Sequence, residues 1–301
     1  MSRKANTIVW AIIACLLWST AYSGIKLGLQ YDKPFHFAGI RFLISGLIVL
    51  PFAGSPVIYL KTIRENWRIM SLITILQIIV NYSFFYLGLQ IVPGALGAVI
   101  AGAQPLITAL IAALMHEDEK LTSRKMVTIV CGISGVVLIS AGRQVFKLGT
   151  ALELLGVGLI LIANSSLSLG NIIVSMRSKG INPFILSSFS LFFGGLMLYL
   201  ISIPVEGIRQ VGYPLDYWLI LLWLSFMAAA AFSIWFTLLQ RPGVKVSELN
   251  LWKFIIPVAG AILSWLLVPG EKPEWVTISG MIIITGSLVI FFTKKKEFHK
   301  G

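Results

Sequence analysis

Lys253 stands inside an apolar stretch, three residues beyond Asn250 and four before Pro257. Spacings of three and four place these residues on one face of a helix. An ammonium beside a carboxamide suits a carboxylate or another anion, and it demands no bidentate geometry. Two plainer roles stand beside that one. Lys253 lies six residues past Ser247, roughly 9 Å along a helix, so its long stem can snorkel to the membrane surface. It can also pair with Glu248, at the head of the same stretch.

A second pattern is a polar stripe. Asn164, Ser168, Asn171 and Ser175 are spaced 4, 3 and 4 apart, and Cys15, Ser19, Tyr22 and Lys26 repeat that spacing 149 residues earlier. A polar face cannot be left against lipid, so each stripe must look into the protein or into a water-filled cavity. The serines read as glue between helices, whereas Tyr22, Asn164 and Asn171 read as cavity lining. Gln77 and Asn81 form an i, i+4 pair, with Tyr82, Phe85 and Tyr86 just beyond. The matching stretch later in the chain holds Met227, Ala231, Phe232, Trp235 and Phe236. Amides on one wall and rings on the other suit an amphipathic organic solute. The candidate cavity residues are therefore Tyr22, Gln77, Asn81, Tyr82, Phe85, Gln104, Asn164, Asn171, Trp235, Asn250 and Lys253. Pro105 and Pro257 each remove a mid-helix hydrogen bond and are candidate hinges.

Other chemistry is missing from the sequence. No carboxylate falls in the middle of an apolar segment, so a carboxylate proton relay has no support. There is no phosphate-binding Gly-rich loop with its Lys, no His-Glu-x-x-His and no Ser-His-Asp set. His36, His116 and His299 lie near segment ends. Cys15 and Cys131, the two cysteines, fall within apolar segments with no zinc spacing or disulfide framework. The expectation is no enzyme, no metal and no cofactor.

The elements that must position these residues are helices in a bilayer. Hydrophobic residues make up 57% of the 301, and only 12% are charged, against about 25% in soluble proteins. Stretches of about 20 apolar residues, enough to cross roughly 30 Å of hydrocarbon, recur at about 8–29, 35–53, 68–90, 93–115, 124–142, 152–175, 183–203, 216–239, 247–268 and 275–293. The first is longer than a signal-peptide core, and no cleavage site follows it, so it is expected to be a retained helix. The fold class is an all-α integral membrane protein of ten transmembrane helices.

The chain also repeats itself. Pro34 falls on Pro183, Gly46 on Gly195, Phe85 on Trp235, Gln90 on Gln240, Pro105 on Pro257 and Glu119 on Glu271, with an offset drifting from 149 to 152. Five spans is an odd number, so the second copy enters the membrane from the opposite side. Residues 8–142 and 152–293 are thus two inverted five-helix repeats, joined at 142–151. Such repeats place a substrate site between them near the bilayer midplane. Arg41, near the start of the second span, is expected to pair with Asp32 or loop carbonyls. Glu119 and Glu271 read as surface or capping groups.

The net charge of +12 is not a nucleic-acid footprint. Of the 24 Lys and Arg, sixteen fall in segments on the side of the N-terminus and five on the other side, with Lys26, Arg41 and Lys253 at membrane depth. That is the positive-inside bias, and it puts both termini in the cytoplasm of a cell whose inner membrane holds the protein. Lys294–Lys296 anchors the last span at the lipid headgroups.

Trp18-Ser19-Thr20 before Tyr22 and Lys26, then Pro34 and Arg41-Phe42, Pro105, Glu119-Lys120-Leu121-Thr122, Glu271, Gly280 and Gly286 together resemble the EamA family of the drug/metabolite transporter superfamily, as two tandem repeats over the whole chain. The second repeat departs from the pattern, with Leu167-Ser168 and Ser190 where the first has Trp-Ser and Arg. The resemblance implies a central path surrounded by helices 1, 3, 4, 6, 8 and 9, with helices 5 and 10 to the side. It implies an exporter of small organic metabolites such as amino acids, working by alternating access. The partners expected are a small-molecule substrate and the lipid bilayer, as a monomer or a homodimer, with no nucleic acid. The rival is a membrane-embedded solute-binding or sensory protein that does not transport.

Reporter fusions test the topology. Fusions after residues 60, 120, 179, 244 and 297 are expected to read cytoplasmic, and those near 33, 146, 210 and 272 external. A reversed pattern removes the charge argument, and an odd number of crossings removes the inverted repeat.

Overall fold

The computed structural model describes residues 3–92, 100–115, 119–141, 151–207, 212–267 and 275–292, with Gly97, Glu117 and Pro273. Every element among the described residues is helical. α1 is Arg3–Gly28, and α2 is Pro34–Val49, tightened into a 3₁₀ turn over Leu50–Ala53. α3 is one rod, Pro56–Ile91, with a π-helical segment at Ile75–Val80. α4 is Gln104–Met115, α5 Ser123–Ala141, α6 Ala151–Arg177, α7 Pro183–Glu206 and α8 Leu215–Leu239. α9 comprises Val246–Leu251, a 3₁₀ turn at Trp252–Phe254 and Ile255–Leu267; α10 is Trp275–Phe292.

Local sequence explains where these helices begin and end. Pro34, Pro56 and Pro183 sit at helix starts, where a missing N–H costs nothing. Ser55 and Asn182 cap α3 and α7 by accepting from the N–H groups of Ile58 and Phe184. Ser55 and Pro56 carry α3 about a dozen residues ahead of the apolar segment predicted from the sequence. The added turns mix exposed apolar residues with charges, and Lys61 and Glu65 form an exposed i, i+4 pair. Gly207, at φ 83°, ends α7 in a conformation that side chains disfavour.

Among the described residues, six helices are long and apolar enough to cross a membrane: Pro34–Ala53, Pro56–Ile91, Leu152–Arg177, Pro183–Glu206, Leu215–Leu239 and Val246–Leu263. Shorter apolar helices run over Ala5–Ala21, Ile100–Met115 and Trp275–Phe291. Leu114, Leu215, Leu266 and Trp275 point outward, largely exposed, as they can where the surrounding medium is hydrocarbon.

Close helix pairs organise the bundle. α2 lies along α7, and α5 along α10; α1 packs on α8 and α9, while α6 packs on α3 and α4. The α2–α7 contact is antiparallel and nearly backbone to backbone. A Cβ on Gly39 would meet the Tyr199 backbone at 2.6 Å, one on Gly46 the Phe192 N at 2.5 Å, and one on Gly195 the Leu43 N at 2.4 Å. Gly46 against Phe192 and Gly195 against Leu43 are the same contact seen from either helix, displaced by 149 residues. The α5–α10 pair behaves alike: Gly135 faces Ile284 and the Gly280 carbonyl, while Gly280 faces Ile139 and the Gly135 carbonyl. Small residues at such crossings let dispersion contacts form along two backbones, the main attraction available between helices in lipid.

Gly195→Leu is expected to force α2 and α7 apart. The cost should reach at least about 1–3 kcal/mol, read as a lower melting temperature in detergent. Gly286→Ala, which meets nothing within 4 Å, should melt like the parent.

Candidate functional site

Asn171, in the last third of α6, is fully buried and sits at the centre of a hydrogen-bonded knot. Its Oδ1 accepts from Gln77 Nε2 of α3 at 3.0 Å and from Trp235 Nε1 of α8 at 3.3 Å. Its Nδ2 donates to Asn250 Oδ1 of α9 at 3.2 Å. The same Asn250 oxygen accepts from Gln104 Nε2 of α4 at 3.3 Å. Gln104 Nε2 also reaches Thr108 Oγ1 at 2.9 Å and Ser168 Oγ at 3.4 Å, and those two hydroxyls lie 2.8 Å apart. Asn250 Nδ2 returns to the Val246 carbonyl at 2.9 Å. One network thus ties α3, α4, α6, α8 and α9 together. Buried amides in a low-dielectric interior are costly unless paired, and here nearly all are. The exception is Gln104 Oε1, which has no partner among the described residues.

Three helix irregularities let the knot form. Pro105 lacks an N–H, and the helix loosens at Ala103, whose N–H turns back to the Ile100 carbonyl. Asn164 Nδ2 donates to that same carbonyl at 2.6 Å. In α3 the π-helical segment carries Gln77, and Ser166 Oγ donates to the Leu76 carbonyl within it at 2.8 Å. Gly170 leaves room for Gln77 to lie across α6, since a Cβ there would come within 2.7 Å of Gln77 Cγ. In α9 the 3₁₀ turn at Trp252–Phe254 ends three residues before Pro257, whose ring would otherwise press on the Lys253 carbonyl.

Lys253 is on that turn. Its Nζ lies 4.8 Å from the centroid of the Trp235 ring and 5.5 Å from that of Trp18. The side chain is partly exposed and makes no ion pair or hydrogen bond among the described residues. The ammonium therefore points between two indoles in the interior, neither snorkelling nor pairing with Glu248. Cation–π attraction offsets part of the desolvation cost, about 0.5–2 kcal/mol for each ring. Trp235 links this cation directly to Asn171.

The structure thus gathers Gln77, Gln104, Asn171, Trp235, Asn250 and Lys253 into one cluster, sealed apart from the lysine. Asn164 bonds the Ile100 carbonyl at its edge. Asn81 makes no side-chain hydrogen bond among the described residues. Tyr82 lies with Phe42 and Tyr86 at ring distances of 4.7 and 6.0 Å, and Phe85 stands 6.1 Å from Tyr86. These three form a neighbouring aromatic zone rather than part of the knot. The side chains of Tyr22 and Lys26 lie outside the described residues. Trp18 and Thr108 belong to the cluster but were not singled out as site residues. Thr108 carried a signal, one helical turn after Gln104, whereas only the tertiary contact reveals Trp18 over the lysine.

Two sequence expectations about charge need correcting. Arg41 does not pair with Asp32. Asp32 already accepts from Tyr217 Oη at 2.9 Å and from the Lys33 N–H at 2.7 Å, and it faces His36 Nδ1 at 2.7 Å. Glu119 is a cap, but a buried one, and on a distant helix: its carboxylate accepts from the Val246 N–H and Ser247 Oγ at the start of α9, with Lys125 Nζ 3.4 Å away. A carboxylate is favoured at a helix N-terminus. Glu271 lies outside the described residues.

A family model described as the EamA-like transporter family matches residues 5–141 and again 154–293. The chain belongs to the EamA-like transporter family. It is 25% identical over 294 residues to "Uncharacterized transporter YvbV" of Bacillus subtilis (strain 168), covering 97% of this chain and 93% of that protein. It is 25% identical over 304 residues to the "Probable amino-acid metabolite efflux pump" of Escherichia coli (strain K12), covering 97% and 96%. A solved crystal structure with 19% identity superposes with a TM-score of 0.82 over 95% of this chain and 96% of its own, which shows the fold alone. The protein is a multi-pass membrane protein of a transporter family.

Asn250→Leu tests the knot. It leaves Asn171 Nδ2 without an acceptor in a buried site, at about 1–3 kcal/mol, and takes one of three acceptors from Gln104 Nε2. A clear fall in melting temperature is expected. Parent-like melting would mean that the network contributes nothing to holding the five helices.

Proposed function

We propose that this family member is an exporter of small organic metabolites such as amino acids, built as ten helices in two inverted repeats, 8–142 and 152–293. It works by alternating access, with α3–α4 rocking against α8–α9 around the breaks at Pro105 and Pro257. It sits in the inner membrane with both termini in the cytoplasm. The antiparallel α2–α7 and α5–α10 contacts support the repeat, because helices related by a two-fold axis in the membrane plane run in opposite directions. The paired swaps, α1 on α8 with α6 on α3 and α1 on α9 with α6 on α4, support it too.

One observation carries the substrate reading: Lys253 is a cation without a counter-ion, held between Trp18 and Trp235 beside a carboxamide network. A charge within an apolar span and with no counter-ion is expensive and marks a functional position. A solute carboxylate would complete it, and the unpaired Gln104 Oε1 offers an acceptor suited to an amino group. The two indoles suit the apolar body of the solute.

Efflux of a radiolabelled mixture of amino acids from proteoliposomes tests this. Lys253→Met should cut flux tenfold or more with melting unchanged within a few degrees, and Lys253→Arg should retain part of it. Binding without flux in the wild type would favour a sensor, and wild-type flux in a stable Lys253→Met protein would overturn the role given to the lysine.

A further inference from the structure

A second cation lies towards the other end of the bundle. Arg41 is seven residues into α2, and Lys253 seven into α9, so each is about 10 Å from the start of its own helix. Those starts are at opposite ends. Tyr217, at the head of α8, bonds Asp32 just before α2, whereas Arg241, just past its tail, bonds Asn6 and Thr7 near the head of α1, and the start of α9 follows. Arg41 is 2% exposed, and its guanidinium lies 4.4 Å from the Phe42 ring centroid. It makes no ion pair, and its Nε has no hydrogen-bond partner among the described residues. Tyr86 Oη, on the facing turn of α3, is likewise buried and without a hydrogen bond of normal geometry. Glu206, whose charge reaches Tyr86, is occupied in capping α2 through the N–H groups of Phe35 and His36, at 2.8 and 2.9 Å.

Rings connect the two cations without a gap. From Lys253 the contacts pass through Trp18 to Phe232 at 5.8 Å, from Phe232 to Phe42 at 6.2 Å, and from Phe42 to Arg41. The Arg41 end is sealed while Lys253 is partly exposed. A buried guanidinium with no counter-ion costs several kcal/mol that Phe42, Tyr82 and Tyr86 offset only in part. Its planar fork is shaped for a carboxylate.

We propose that Arg41, with Tyr86 Oη, is a second carboxylate-binding station on the external side of the path. The aromatic layer of Trp18, Phe232 and Phe42 separates it from the Lys253 station. This rests on the transport reading above and extends it: the solute exchanges one cation for the other as the layer opens.

The test uses phenylalanine and phenylalaninamide, which lacks the carboxylate, in right-side-out and inside-out membrane vesicles carrying the full chain. In the wild type, phenylalanine should be preferred from either face. Arg41→Gln should raise the half-saturation concentration for phenylalanine about tenfold or more from the external face, abolish its preference over the amide there, and change the cytoplasmic-face value less than twofold. Tyr86→Phe should give a smaller change on the same face. Arg41→Lys keeps the charge but not the fork, and it should weaken external binding several-fold even if Arg41→Gln fails to fold. Unchanged external half-saturation in a folded Arg41→Gln or Arg41→Lys protein, or equal weakening on both faces, overturns the station while leaving the transport reading intact. No flux of any amino acid in the wild type defeats the transport reading and this one with it.

Discussion

A buried carboxamide must have partners, and the centre of this molecule is arranged around that requirement. Asn171 sits where five helices converge and uses both its oxygen and its nitrogen. Lipid offers helices no hydrophobic reason to associate, so packing of small residues and hydrogen bonds of this kind must supply the attraction. The knot is also directional. Asn171 accepts from α3 and α8 and donates to α9, and Asn250 accepts from α4 and α6, so these bonds form together only in one register of the helices.

The same accounting explains the irregular backbone. Pro105 and Pro257 each remove a donor, and the π-helical segment of α3 disturbs the ladder near Gln77. In a bilayer such groups must be met by protein. Asn164 takes the Ile100 carbonyl and Ser166 the Leu76 carbonyl, both from α6. α6 therefore acts as the strut against which two interrupted helices are braced. A helix held at a break by one side chain can exchange that bond for another at small cost, which is the property a rocking element needs.

Charge is placed at the ends and, sparingly, in the interior. Glu206 caps α2 at one end of the bundle, and Glu119 caps α9 at the other, each reaching across from a different part of the chain. These carboxylates are satisfied by N–H groups and fasten the ends. Lys253 and Arg41 are different: both are interior cations whose nearest company is aromatic. Ends closed by satisfied acids and an interior holding unsatisfied bases is a distribution suited to admitting an anionic group.

The sequence alone determined the membrane character, the helical class and the polar residues that had to face inward, because hydrocarbon imposes those conditions on any chain crossing it. It singled out Gln77, Gln104, Asn171, Trp235, Asn250 and Lys253, since amides and charges in apolar segments are visible by composition and helical spacing. It matched Gly46 with Gly195, which lie in one antiparallel crossing, against Phe192 and Leu43. Only the tertiary structure decided who partners whom. Spacing along one helix says which face is polar but not what lies opposite, so Trp18 over Lys253, Glu119 on the start of α9 and Arg41 without Asp32 were beyond it. Each depends on residues more than a hundred positions apart, or on a competitor already holding the partner, and only packing sets such distances.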